Sequence, residues 1–316
     1  KITKRDIAVI GTVLMLIGGL MPQVLNTQLW MLYAASIVIG AGLSLVVVVS
    51  SSLISDYFTG IEKSRVMGFQ SIFVSIGGTL IAKGSGLFTA MAGWKRGYLV
   101  FLICIPIILI VMLTVPKGEV LPKTEKAKSG ISGSMVYFGA LCLITGIFVA
   151  TFNTNIAMYI DRKGIGDAST AGTVASIMQV IGLVLGNTVK IFKRFTIGAA
   201  ILMMAAGTAM VGFSTSLPVI CIGAAVVGFG FAIRNPGAVT FAANMVPAAQ
   251  ASLAIAIVSA TYNVGNFISA YVVNPLANMA GGDISKRFIV SAAALVIIGL
   301  VACIKAPTTD AQALDS

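Results

Sequence analysis

Histidine is missing from all 316 residues, and charged residues make up only 10% of them. The first absence removes the commonest metal ligand and the side chain that titrates nearest neutral pH. The second excludes an ordinary soluble domain, in which about 25% of residues are charged. Acids are the scarcer sign, 10 Asp and Glu against 21 Lys and Arg. The four cysteines (Cys104, Cys142, Cys221, Cys303) lie inside apolar runs with no CxxC spacing. They read as small buried hydrophobes rather than disulfides or metal ligands. No ATPase motif, metal cluster or catalytic triad argues for an enzyme or a cofactor. GIGDASTAG (164–172) has a nucleotide-loop look, but no strand precedes it and it lies outside the apolar runs, so that reading is rejected.

What is present is apolar. Hydrophobic residues reach 58% and the mean hydropathy is +1.01. Ten segments have spanning length: 7–24, 30–54, 66–90, 97–116, 135–158, 170–189, 196–213, 218–243, 251–277 and 287–305. A span needs about 20 apolar residues, and short polar links separate these. Membrane strands would alternate over about 10 residues. No such alternation occurs, so the expected class is an all-α polytopic membrane protein. The 34 glycines suit helices that pack closely in lipid.

Charge placement orients the spans. With the first residue in the cytoplasm, 13 Lys and Arg fall in inner loops and 6 in outer ones. Basic residues favour the cytoplasmic side, so the expectation is a multi-pass protein of the cell membrane with both ends inside. The net charge of +11 is accounted for by basic loops facing anionic lipid. It requires no nucleic acid, and nothing requires an oligomer. Lys83 and Arg234 are the two cations left inside apolar runs.

The chain repeats itself. Gly228, Gly230, Asn244, Ser259 and Gly265 lie 188 residues beyond Gly40, Gly42, Asp56, Ser71 and Gly77. Lys193-Arg194 and Gly207 lie 189 beyond Lys4-Arg5 and Gly18. A near-constant offset over eight segments is the mark of two related halves. The second copy holds two more segments (135–189) ahead of its Lys-Arg pair. Equal halves would need about 54 further residues ahead of Lys1, so the expectation is a twelve-helix parent lacking its first two helices.

These features resemble the major facilitator superfamily over essentially the whole length. Lys1-Ile2-Thr3-Lys4-Arg5 is similar to the end of its signature between helices two and three, with Thr3 where Gly is usual. DYFTGIEKSRVMG (56–68) resembles its acidic-then-basic link between helices four and five. The resemblance implies two pseudo-symmetric helical bundles. Residues 1–116 would be the N-terminal bundle (helices three to six), 117–134 the cytoplasmic linker, 135–307 the C-terminal bundle (helices seven to twelve) and 308–316 a polar tail. It also implies alternating access, with Lys4, Arg5, Asp56, Glu62 and Arg65 as candidates for a cytoplasmic gate. Solvated or topogenic charges are the plainer reading of those five. Two drug-export signatures are absent: Ser36 stands at the usual Arg, and Ile81-Ala82 replace Gly-Pro in IAKGSG (81–86).

No Asp or Glu falls mid-span, so no intramembrane proton carrier is visible. Arg234, in AIRNPG (232–237), lies deep in a segment that the resemblance places on the central cavity. Its repeat partner is Val46, so the fold does not require a cation there. Two readings are open: Arg234 grips an anionic group of a small-molecule substrate, or it pairs with an acid on a helix outside this chain. Asn235, Asn153, Asn263, Asn266 and Tyr262 are the further candidate substrate ligands. Ser50, Ser51, Thr145, Thr151 and Asn155 are polar residues that could extend them. The function expected is transport of a small organic, anionic solute. Efflux of hydrophobic compounds, or a membrane protein that senses without transporting, are the alternatives.

Overall fold

A computed structural model of the chain describes residues 3–25, 28–58, 60–116, 133–185, 195–246 and 251–304. The described residues form ten α-helices and one 3₁₀ helix, with no strand. In order these are α1 (Lys4–Val24), α2 (Leu29–Tyr57), α3 (Gly60–Ala92), the 3₁₀ helix (Trp94–Ile103), α4 (Cys104–Thr114), α5 (Gly133–Arg162), α6 (Ala168–Leu185), α7 (Thr196–Phe213), α8 (Leu217–Asn244), α9 (Ala251–Met279) and α10 (Ile284–Ile304). The chain divides into two compact units, Lys1–Glu125 and Lys126–Ser316. The first therefore holds α1 to α4 and the second α5 to α10. Eight described stretches are long and apolar enough to cross a membrane.

Two segments differ from expectation. The run 97–116, read as one span, begins as 3₁₀ helix and becomes α-helical only at Cys104. Ten residues is long for 3₁₀ geometry, which rarely exceeds 3–4. Lys286 and Arg287, counted among the six outer cations at the edge of the segment 287–305, stand in the opening turn of α10.

The helix ends follow local rules. Thr3 caps α1: its hydroxyl accepts from the Asp6 N–H while the Asp6 carboxylate accepts from the Thr3 N–H. This reciprocal box satisfies two donors that the first turn leaves open. α5 closes in a Schellman turn, with Ile165 N–H on the Ile160 carbonyl and Gly164 N–H on that of Asp161. Gly164 has φ +64°, the left-handed state that glycine adopts without penalty. Asp167 then opens α6, accepting from the Thr170 N–H at 2.9 Å. GIGDASTAG is thus one helix end running into the next helix start.

Outside and inside are sorted as lipid demands. Ile37, Leu113, Phe267 and Met279 are exposed, as side chains facing hydrocarbon would be. In the second unit Phe138, Phe152, Tyr159, Met204, Phe288 and Leu295 are buried. The Tyr159 and Phe288 rings meet edge-on at 5.1 Å between centroids. Buried hydroxyls turn inward on their own helices: Thr12, Thr145 and Ser176 donate to the carbonyls of Ala8, Leu141 and Gly172. That removes the cost of an unpaired donor in hydrocarbon.

The repeat is visible as packing. In the first unit Gly18 lies against Ala35 and Ile39, so closely that a Cβ there would stand 2.9 Å from the Ala35 carbonyl oxygen. In the second unit Gly207 lies against Gly223 and Val227, the same positions carried forward by the offset. Gly42 abuts Gly11 and Met15, and Gly230 abuts Ala200 and Met204. The two units therefore share a matching close helix crossing, α1 on α2 in the first and α7 on α8 in the second. Small residues set both, because only they let two backbones approach this far.

Candidate functional site

Arg234 stands midway along α8, two residues before a proline that interrupts the helix hydrogen bonding. Pro236 has no N–H, so the carbonyl one turn earlier loses its intrahelical donor. The Arg234 side chain is only 5% exposed. Its guanidinium carbon lies 3.7 Å from the centroid of the Tyr262 ring on α9. Nη1 donates to Asn235 Oδ1 at 3.1 Å, while Nη2 is buried with no hydrogen-bond partner. On α5, buried Cys142 is a near neighbour of the guanidinium. Three helices of one unit thus meet around a single cation.

Asn266 lies one turn beyond Tyr262 on α9, with its side chain beside the Tyr262 hydroxyl. Its Oδ1 is likewise buried and unpartnered. The α9 turn that carries both residues is pressed against α5. A Cβ at Gly146 would stand 3.1 Å from the Tyr262 ring and 3.3 Å from the Asn266 backbone nitrogen. Gly265 abuts the Leu143 carbonyl, and Ser269 Oγ donates to the Ile147 carbonyl at 2.5 Å. The backbone of this α9 turn is therefore held close against α5.

The energetics leave this cluster incomplete. A cation in a span costs at least ~2.5 kcal/mol. Stacking on a desolvated ring returns about 2 kcal/mol. A buried polar atom without a partner costs about 1–3 kcal/mol, and more when charged. Among the described residues no carboxylate pairs with Arg234; Asp283, on the same unit, is bridged to Lys163 at 2.8 Å. An oxyanion accepting from Nη2 would complete the guanidinium. Asn235 turns its Oδ1 to Arg234, so its amide N–H donors point to the other side.

The other sequence candidates fall elsewhere. Asn153 and Asn263 are exposed and are not joined to the cluster by any hydrogen bond. Asn155 accepts from Arg287 Nη1 at 2.6 Å and donates to the Thr151 carbonyl and the Thr154 hydroxyl. Ser291 Oγ donates to Thr151 Oγ1 at 2.8 Å, so these residues tie α5 to α10. In the first unit Gln70 donates to Ser50 at 3.0 Å. Of the gate candidates, Arg5 reaches the Met112 carbonyl at 3.4 Å and Glu62 is exposed in the first turn of α3. The side chains of Asp56 and Arg65, like that of Ser51, lie outside the described residues. Lys83 is exposed on α3, and the same unit has a shallow hollow of about 430 Å³ lined by Gln23, Trp94, Lys95 and Arg96.

Sequence reasoning missed Cys142 and Gly146. The signal was available as two small residues one turn apart, a spacing that marks close helix contact.

No curated protein sequence matches the chain. Its fold is found in solved transporters. The human organic anion transporter MFSD10 (TETRAN) superposes with a TM-score of 0.68 at 12% identity, over 95% of this chain and 77% of that one. The D-xylose-proton symporter gives 0.72 at 16% identity, over 97% and 81%. The model of the Major Facilitator Superfamily matches residues 1–191 and again 182–315. Matched by one transporter family along both its units, the chain belongs to the Major Facilitator Superfamily and is a transmembrane transporter, not an enzyme.

Proposed function

We propose that this chain moves a small organic anion by alternating access, with Arg234 holding the anionic group. One observation carries the reading: a buried guanidinium whose Nη2 has no partner. Arginine suits carboxylate and phosphate because its planar fork offers paired donors. Tyr262 fixes the plane of the fork from one face, and Asn235 fixes one edge, so the free edge is directed at the ligand. The similarity to an organic anion transporter is in keeping with this but, at its low identity, speaks for the fold alone.

In the same reading α8 and α9 carry the bound solute within the second unit, and the charges at Lys4, Arg5, Asp56, Glu62 and Arg65 close one end of the path. The basic loops face the cytoplasm of the cell membrane. Residues 1–116 and 135–307 act as the two bundles, joined through 117–134.

The test is solute uptake into proteoliposomes containing the chain, with labelled organic anions and neutral sugars of matched size. Anion uptake that falls in Arg234→Gln, with sugars not taken up, supports the proposal. Uptake of anions that is indifferent to Arg234 overturns it.

A further inference from the structure

Arg234 Nη2 and Asn266 Oδ1 have opposite hydrogen-bonding sense: the first only donates and the second only accepts. Both are buried without a partner, and both side chains bear on Tyr262. Arg234 covers its ring, and Asn266 lies beside its hydroxyl. Loose packing does not explain the open acceptor, because Gly146, Gly265 and Ser269 clamp this turn of α9 against α5. Buried polar atoms are rarely left unpaired in folded proteins. Two of complementary sense around one tyrosine form a pattern that a ligand can match.

With the Asn266 amide oriented as it is, Oδ1 the open atom, a bare carboxylate does not match it. Its oxygens would accept from Arg234, but they have no proton for Asn266 Oδ1 and would repel that atom at short range. The missing element is a donor close to the anionic group. Extending the anion reading of Arg234, on which this rests, we infer that the solute is an organic anion that also bears a hydroxyl or amine, whose proton Asn266 Oδ1 accepts. Because both protein atoms bear on one tyrosine, the two groups on the solute are separated by a few bonds, as in a short-chain hydroxy acid. Tyr262 is the spacer that sets their separation, and Asn266 is the residue that selects for the donor.

Matched acids with and without a hydroxyl test this directly: lactate and propionate, 3-hydroxybutyrate and butyrate, malate and succinate. Ligand-dependent thermal stabilisation of the purified chain in detergent gives the affinities. In the wild-type chain the hydroxylated member of at least one pair should bind about 2- to 10-fold more tightly, the range of one net hydrogen bond. Asn266→Leu, close in shape but apolar, should erase that preference, so that the two members of the pair bind alike. Arg234→Gln should weaken both members of the pair alike. No preference in the wild-type chain, or a preference that survives Asn266→Leu, overturns the inference and leaves the anion reading standing if Arg234→Gln still weakens binding. Binding by none of the six acids, or binding indifferent to Arg234→Gln, rejects the anion reading itself. Should Asn266→Leu not fold, judged by its melting without ligand, Asn266→Ala takes its place with the same outcomes.

Discussion

The guanidinium carbon of Arg234 lies over the Tyr262 ring, 3.7 Å from its centroid. The ring covers the cation, Asn235 accepts from Nη1, the Cys142 sulfur lies close by, and Nη2 has no hydrogen-bond partner among the described residues. A ligand at Nη2 meets a charge already stripped of water and fixed in direction, which is what gives a hydrogen bond its strength in a low-dielectric site.

Replacing Arg234 by Gln removes the charge and keeps some hydrogen bonding. A bond to a charged group is worth about 1.5–3 kcal/mol, so affinity for an organic anion should fall about 10- to 150-fold. Lys should recover only part of this, since it lacks the planar fork. Binding measured on purified variants, with folding checked by thermal melting, decides the matter; unchanged affinity in a folded Gln variant would reject the role.

Tyr262 can be tested through its ring. Tyr262→Phe keeps the face that supports Arg234, whereas Tyr262→Leu removes it. A cation–π contact is worth about 0.5–2 kcal/mol, so Leu should raise the dissociation constant of an anion about 2- to 30-fold over that of Phe. Equal affinities for the two variants would show that the stack contributes nothing.

Much of the fold was legible because lipid imposes runs of apolar residues, and all ten helices stand where those runs do. Arg234 was legible for the same reason: a cation within such a run is conspicuous. Its partners were not. Which asparagine is open and which is occupied depends on helix rotation, and only packing shows that Asn155 serves Arg287 while Asn266 Oδ1 is open. The stack on Tyr262 joins residues on neighbouring helices that no spacing connects. The 3₁₀ start at Trp94 was also invisible, since WKRGYLVFLI has the composition of any apolar helix. Thr3, a departure from the family's glycine, makes local sense once its cap with Asp6 is seen.

The Lys163–Asp283 bridge should give a pH-dependent increment of stability. The Lys163 ammonium and the Ser285 hydrogen bonds hold the Asp283 carboxyl well below the usual carboxylate range. Asp283 in turn raises Lys163 above the ordinary lysine value. A lowered acid stabilises the fold above its unfolded pKa and loses that effect as pH falls; a raised base stabilises below its unfolded pKa and loses it as pH rises. Both contributions are present at neutral pH. Asp283→Asn keeps an acceptor for the start of α10, so its melting temperature should lie slightly below wild type at pH 7. The gap should close on acidification through and below the carboxylate range. A gap that persists at low pH would assign the loss to something other than the bridge, which is largely exposed at 27% and 48% and screened by salt.

Glycines in the two units should respond to alanine by position. At Gly207 a methyl would meet the Gly223 carbonyl oxygen, so Gly207→Ala should destabilise by about 1–3 kcal/mol, as overpacking does. At Gly40 nothing stands within 4 Å, and alanine there should be neutral or stabilise by about 0.5–1 kcal/mol. Melting of the two variants in the same detergent checks the contrast, and a milder effect at Gly207 than at Gly40 would count against the crossing.

The close approach of α7 and α8 has a mechanical meaning. With Gly207 seated on the Gly223 backbone, and Gly230 on that of Ala200, neither helix can slide along the other by less than a full notch. The pair behaves as a stiff beam. On the proposed reading, force applied to Arg234 by a solute would pass to α7 through this contact, although no side chain of α7 needs to touch the solute. A leverage of that kind would turn one hydrogen-bonded contact into the displacement of two whole helices.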